Sequence, residues 1–143
     1  MKNIFVLATF AIAILAFSPL FAAFNSTTVN GDIIVTDTET GLVWQKTYVS
    51  DKTWQQALSY CESLSYAGYS DWRLPDKNEL ASLVNYRKYK PASDFPDMPS
   101  NFFWSSSSVV LSDYSDRSWC VGFNDGGLGN CHRSSSNHVR CVR

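Results

Sequence analysis

Cys61, Cys120, Cys131 and Cys141 all lie downstream of an export-type leader, and that combination constrains this chain more than any other feature. The leader carries one cation, Lys2, then an apolar run from Ile4 to Phe17 interrupted only by Thr9, then Ser18-Pro19 and the small pair Ala22-Ala23. This layout predicts a cleavable signal peptide over residues 1–22. The run is shorter than the ~18–20 residues of a membrane span, and Pro19 breaks it. No cysteine follows it to take a lipid. The expected product is a single exported domain, residues 23–143, in the periplasm, on the cell surface or in the medium, with no membrane span after cleavage. In an oxidising compartment, an even number of cysteines in a small domain reads as disulfides. Zinc is the rival reading, but there is no C-x-x-C pair, and His132 and His138 fit no finger spacing. Three pairings satisfy the arithmetic of four cysteines. In the chain-entropy model a bridge closing a long loop contributes ~4–5 kcal/mol and one closing a short loop ~3, comparable with the net stability of such a domain.

The formal charge of -1 becomes about -2 once Lys2 leaves with the leader, which argues against nucleic acid as a partner. All five Trp and all seven Tyr remain, enough to fill a core or to line a sugar-binding surface. Along the expected domain, Asp32–Thr36 and Leu42–Gln45 read as strands joined by the turn Asp37-Thr38-Glu39-Thr40-Gly41. Thr53 and Gln56 form a capping pair ahead of Trp54, Ala57, Leu58, Cys61 and Leu64 at helical spacing, with Gly68 as the stop. Asp76 and Glu79 cap a second helix, with Leu80, Leu83 and Val84 as its stripe and its end near Tyr86. From Arg87 to about Ser100 periodicity disappears among three prolines, which predicts a long surface loop. Strands then follow at Phe102–Trp104, Val109–Leu111, Trp119–Phe123 and His138–Val142, the last with Val139 and Cys141 buried and His138 and Arg140 in water.

Several ordered motifs now stand together: Thr40-Gly41-Leu42-Val43-Trp44-Gln45, Gly68-Tyr69-Ser70-Asp71-Trp72-Arg73-Leu74-Pro75, Glu79-Leu80, Phe103-Trp104-Ser105-Ser106, Phe123-Asn124-Asp125-Gly126-Gly127 and Val139-Arg140-Cys141-Val142-Arg143. The set resembles the domain family named for the C-terminal domain of the Legionella collagen-like adhesin (the Lcl C-terminal domain). The resemblance implies an α+β, C-type-lectin-like fold, in which two helices flank a twisted antiparallel sheet, a long irregular region intervenes and the terminal strands pair. It also implies two nested disulfides, Cys61–Cys141 around Cys120–Cys131, and self-association like that of the stalk-borne namesake. In that likeness Asn124 and Asp125 stand where C-type lectins place calcium ligands. Calcium wants six to eight oxygens, the companion Glu-Pro-Asn or Gln-Pro-Asn triplet is missing, and Asn-Asp-Gly-Gly suffices as a hairpin turn. The turn reading is preferred and no cofactor is expected.

The most specific hint of a partner is Arg87-Lys88-Tyr89-Lys90 with Tyr86, where cations suited to sulfate or carboxylate adjoin rings suited to a sugar face. Arg133, Arg140 and Arg143 would extend that surface, and Asp94, Asp97, Asp113 and Asp116 would offset it. The competing explanation is a helix C-terminus attracting cations through its dipole. Ser105–Ser108 reads either as hydroxyl donors to a glycan or as a wet strand edge. Asp71-Trp72-Arg73 reads as an Asp–Arg pair locking a connection beside a buried Trp. No nucleophile elbow, H-E-x-x-H or phosphate-cradling loop appears. The expectation is a non-catalytic recognition or adhesion domain for an acidic or sulfated polysaccharide or another cell-surface ligand. The alternatives are a protein-interaction or envelope-structural module and, third, an enzyme on a formylglycine-generating-like core.

Overall fold

The computed structural model describes residues 24–143, so the expected signal peptide lies outside the described residues. β1 (Phe24–Val29) and β2 (Asp32–Asp37) form a hairpin, and β3 (Val43–Gln45) adds to the other side of β2. The turn into β3 is the one the sequence predicts. The Asp37 carboxylate accepts from the Glu39 amide at 2.9 Å and the Thr40 hydroxyl at 2.7 Å, and Gly41 sits at φ +74, where a side chain would be strained.

The second sheet has the order β4-β8-β5-β6-β7, from β4 (Val49–Lys52), β5 (Phe102–Ser108), β6 (Arg117–Gly122), β7 (Gly127–His132) and β8 (Asn137–Val139). The fold is thus α+β, but it has two sheets where one antiparallel sheet is expected, and β5 and β8 run parallel where Phe103 faces His138. Val109–Leu111 is not a strand; β5 ends at Ser108, and Val110 and Leu111 are exposed. β1, β4 and β7 are strands that the residue pattern does not announce.

Both helices start where their capping pairs place them. α1 (Trp54–Glu62) opens on Thr53 with Gln56 answering, and α2 (Lys77–Ser82) on Asp76 with Glu79. Both end early. α1 stops at Ser63 rather than Gly68, and α2 at Leu83 rather than near Tyr86. The second stop has a visible cause. The Ser93 hydroxyl donates to the Leu83 carbonyl at 2.6 Å and the Asn85 amide to the Ala92 carbonyl at 2.9 Å, so returning chain takes partners that a longer helix would use.

The disulfides are Cys61–Cys141 and Cys120–Cys131, with Cα separations of 5.5 and 6.1 Å, nested as the resemblance implies. Strand residues alternate between two buried clusters. Ile34, Trp104, Cys120, Val139 and Cys141 join the α1 side, while Val35, Phe103, Val121 and Val142 join Leu80 and Leu83 of the α2 side. The expected dry-and-wet alternation at the C-terminus therefore fails, because Val139, Arg140, Cys141 and Val142 are all buried. A strand covered on both faces loses the polar half of its pattern. Past β8 the chain crosses to the first sheet, where Val43 and Arg143 exchange backbone bonds of 3.0 and 2.9 Å, and Val142 and Arg73 exchange two of 2.9 Å. The irregular stretch between α2 and β5 also departs from expectation. It is no surface loop, since Ala92, Phe95 and Met98 are buried in or beside the α2-side cluster.

Candidate functional site

Residues 86–90 are all exposed, with Tyr86 and Tyr89 at 74% and 66%. The backbone beneath them is held. Asn85 accepts the Arg87 amide on its side chain at 2.9 Å and the Lys88 amide on its carbonyl at 3.0 Å, making a tight turn. The Lys90 amide, next to the cis Lys90–Pro91 bond, donates to the Asn124 carbonyl at 3.0 Å, and Ala92 to that of Phe123 at 2.8 Å. Lys88 pairs with Asp94, whose carboxyl is held below its ordinary range by Lys88 and then by Asn85. The Lys90 ammonium lies 5.0 Å from the Tyr89 ring centre. No cation sits in the last turn of α2, which ends at Ser82, so the helix dipole does not account for the cluster.

The other candidates disperse. Arg140 is fully buried rather than wet. Its Nη1 donates to the carbonyls of Gln45 (3.0 Å) and Lys46, and its guanidinium lies 4.3 Å from the Phe95 ring centre. Burial pushes its pKa down to about 10, and Nε and Nη2 find no hydrogen-bond partner among the described residues. Arg133 stacks 4.2 Å over Trp54 and donates to the hydroxyls of Ser118 and Ser108, so it braces the sheet. Arg143 pairs with Asp71 at 2.8 Å and covers Tyr69. Asp71 therefore does not lock Arg73, which makes a bidentate pair with Glu79 at 2.7 Å, although Trp72 between them is buried as expected. Ser105–Ser108 is neither a wet edge nor an open hydroxyl row. β5 lies inside its sheet, Ser105 is buried and donates to the Trp119 carbonyl at 2.8 Å, and Ser107 accepts the Lys77 amide at 3.0 Å.

Asn124 and Asp125 belong to the β6–β7 turn. Asp125 Oδ1 accepts the Gly127 amide at 2.9 Å, and Gly126 donates to the Gly122 carbonyl at 2.8 Å. Among the described residues no group of three His, Cys, Asp or Glu side chains gathers to hold a metal. With one carboxylate already serving its own turn, this pair does not fit the oxygen-rich shell that calcium takes.

A cleft of about 420 Å³ escapes sequence reasoning altogether. Asp32, Lys46, Thr47, Tyr48, Tyr66 and Asp97 line it, with Lys46 and Asp97 paired at 3.0 Å. These residues come from four separate stretches, and no local spacing unites them. The Tyr66 hydroxyl donates to the Ile33 carbonyl at 2.7 Å and accepts its amide at 3.2 Å, and Asp32 accepts the Ala67 amide at 2.7 Å, so one wall is rigid. Behind the other wall, His138 stacks on Tyr48 at 5.1 Å, and Phe103 meets both rings edge-on.

The Lcl C-terminal domain model matches residues 33–143. The chain belongs to the Lcl C-terminal domain family. The matched span of this Lcl C-terminal domain runs from β2 to the last residue and holds both disulfides and residues 86–90. No curated protein matches the chain.

His138 gives the domain an acid-side sensitivity. Burial lowers its pKa from 6.5, against a smaller opposing effect of Asp51. The unfolded chain then binds more protons between the lowered value and 6.5, so stability is lost as pH falls through that window. Urea midpoints of wild type should fall between about pH 7 and pH 5, and His138→Gln should flatten that slope. An unchanged slope in the variant would assign the acid sensitivity elsewhere.

Proposed function

We propose that this Lcl C-terminal domain is an exported, non-catalytic recognition module that binds an acidic or sulfated polysaccharide through Tyr86, Arg87, Lys88, Tyr89 and Lys90. The observation that carries the reading is the exposure of five consecutive cationic and aromatic residues on a backbone fastened at both sides. A preset backbone cuts the ordering cost of binding. Guanidinium and ammonium groups suit sulfate and carboxylate oxygens, and exposed rings suit the C–H face of a sugar. Pairing of Lys88 with Asp94 keeps that cation in place until an anion competes for it.

The nested disulfides and the two helices support placing the fold with C-type lectins, although its two sheets and its parallel β5–β8 pair lie outside the simplest form of that likeness. The calcium-dependent chemistry of such lectins is not part of the proposal. All four sulfurs are bridged, which supports a non-catalytic reading over an enzyme dependent on free thiols.

Retention on a heparin-type resin should fall steeply as salt rises. Replacing Arg87, Lys88 and Lys90 together with Ala should abolish retention while leaving the thermal midpoint within a few degrees, because all three side chains are exposed and a surface pair such as Lys88–Asp94 contributes little to stability. Failure of wild type to bind at low salt would remove the proposal. A second reading, a protein-interaction module, draws on Val110 and Leu111, which are 94% and 61% exposed beside one another.

A further inference from the structure

We propose that the cleft lined by Asp32, Lys46, Tyr48, Tyr66 and Asp97 binds one uncharged sugar ring, at a site independent of residues 86–90. Its volume of about 420 Å³ falls in the range of roughly 300–1,000 Å³ typical of small-molecule sites. The chemistry of its walls selects the ligand.

The first criterion is charge. Asp32 and Asp97 line the cleft, and they are balanced by Lys46 in the lining and by Arg140 directly behind it. Arg140 donates to the Lys46 carbonyl, lies 5.7 Å from the Tyr48 ring centre and feels the field of Asp97. Two formal charges of each sign cancel. A sulfated ligand would meet Asp32 and Asp97, and a quaternary ammonium would meet Lys46 and feel the field of Arg140 behind it, so neither gains what an unpaired ionic partner would supply.

The second criterion is shape and polarity. Two tyrosine rings offer apolar faces, while carboxylate oxygens, an ammonium and the Thr47 hydroxyl offer acceptors and donors at the rim. A sugar ring has the matching character, with C–H groups on its faces and hydroxyls at its edge. The Tyr66 hydroxyl is spent on Ile33, so that residue serves through its ring, and Asp32 keeps one oxygen beyond the one that takes the Ala67 amide.

The third criterion is preorganisation. Arg140 Nη1 gathers the carbonyls of Gln45 and Lys46, which sets the chain direction from which Lys46, Thr47 and Tyr48 project. Phe103 and His138 hold the Tyr48 ring from behind, and its 38% exposure faces out. The Lys46–Asp97 pair, with Asp97 76% exposed, is the mobile part of the lining and can pivot toward a ligand.

The test is an amide chemical-shift titration of the oxidised, isotope-labelled protein with the methyl glycosides of glucose, galactose and N-acetylglucosamine, with choline and a sulfated disaccharide as contrasts. At least one neutral glycoside at about 10–100 mM should shift the amides of Lys46, Thr47, Tyr48 and Asp97, equally in low and high salt. Asp97→Ala, a change at an exposed position, should weaken that binding roughly fivefold or more, and Tyr48→Ala roughly tenfold. Because Tyr48 packs on Phe103 and His138, the exposed Asp97 variant keeps the test decisive should Tyr48→Ala not fold. The triple Ala variant at Arg87, Lys88 and Lys90 should bind the glycoside like wild type. Absence of cleft shifts up to about 100 mM, larger cleft shifts with choline or the sulfated probe, or an Asp97→Ala variant that binds like wild type would each overturn the assignment.

Discussion

Replacing Cys61 and Cys141 together with Ala is expected to lower the unfolding free energy by about 4.5 kcal/mol, and replacing Cys120 and Cys131 by about 3. The difference follows from loop length, since the first bridge joins residues 80 apart and the second residues 11 apart. Each loss is large against the roughly 5–15 kcal/mol that a domain holds in total. The long bridge also couples buried elements. Cys61 lies on α1 and Cys141 in the segment between β8 and the final pairing with β3, both wholly buried in the α1-side cluster. Non-reducing urea denaturation of the two double variants measures the ranking. If losing the short bridge costs as much as losing the long one, the entropic account fails and local packing around Cys120 takes its place.

Trp104→Ala is expected to cost about 3–5 kcal/mol, through lost burial and the cavity left behind. Trp104 is wholly buried in the α1-side cluster, and its indole N–H donates to the Lys52 carbonyl at 2.8 Å, tying β5 to the residue before the cap of α1. Trp104→Phe separates the two contributions, because it keeps most of the apolar volume and orphans the carbonyl, for a loss of about 1–2 kcal/mol. Denaturation midpoints of the two variants check the order. An alanine variant within about 1 kcal/mol of wild type would mean that the site collapses freely around the missing ring.

The parts of this fold that the sequence announces are those decided within a few residues. Thr53 with Gln56 and Asp76 with Glu79 place two helix starts, and Asp37 to Gly41 places a turn, because cap and turn chemistry is local. The end of α2 is not legible locally, because Ser93 and Ala92, which return from later in the chain, claim the partners near Leu83 and Asn85. β7 carries no strand signal in Gly127-Leu128-Gly129-Asn130-Cys131-His132. It pairs because a tight turn and a cross-link hold it to β6, and Gly129 stands opposite Cys120, where an added Cβ would press on Sγ at 3.1 Å. Alternation puts Arg140 in water because it assumes one wet face, whereas both faces of its segment are covered. Of the candidate sites, residues 86–90 could be read directly because they are contiguous. The cleft could not, because Asp32, Lys46 and Asp97 meet only through the tertiary fold.

Residues 85–92 are attached to the β6–β7 turn through main-chain groups, Lys90 to Asn124 and Ala92 to Phe123, and the segment is closed on itself by Asn85 to Ala92. Gly126 closes the contact, since a Cβ there would collide with Val84 and crowd Tyr86. Amide-to-carbonyl bonds are indifferent to the identity of the residues that make them. Mutation can therefore rewrite what the tip displays, exchanging cations for acids or rings for small polar groups, without disturbing the cradle that presents it. Under the proposed binding role, substitutions at the tip would change ligand preference and leave stability largely alone.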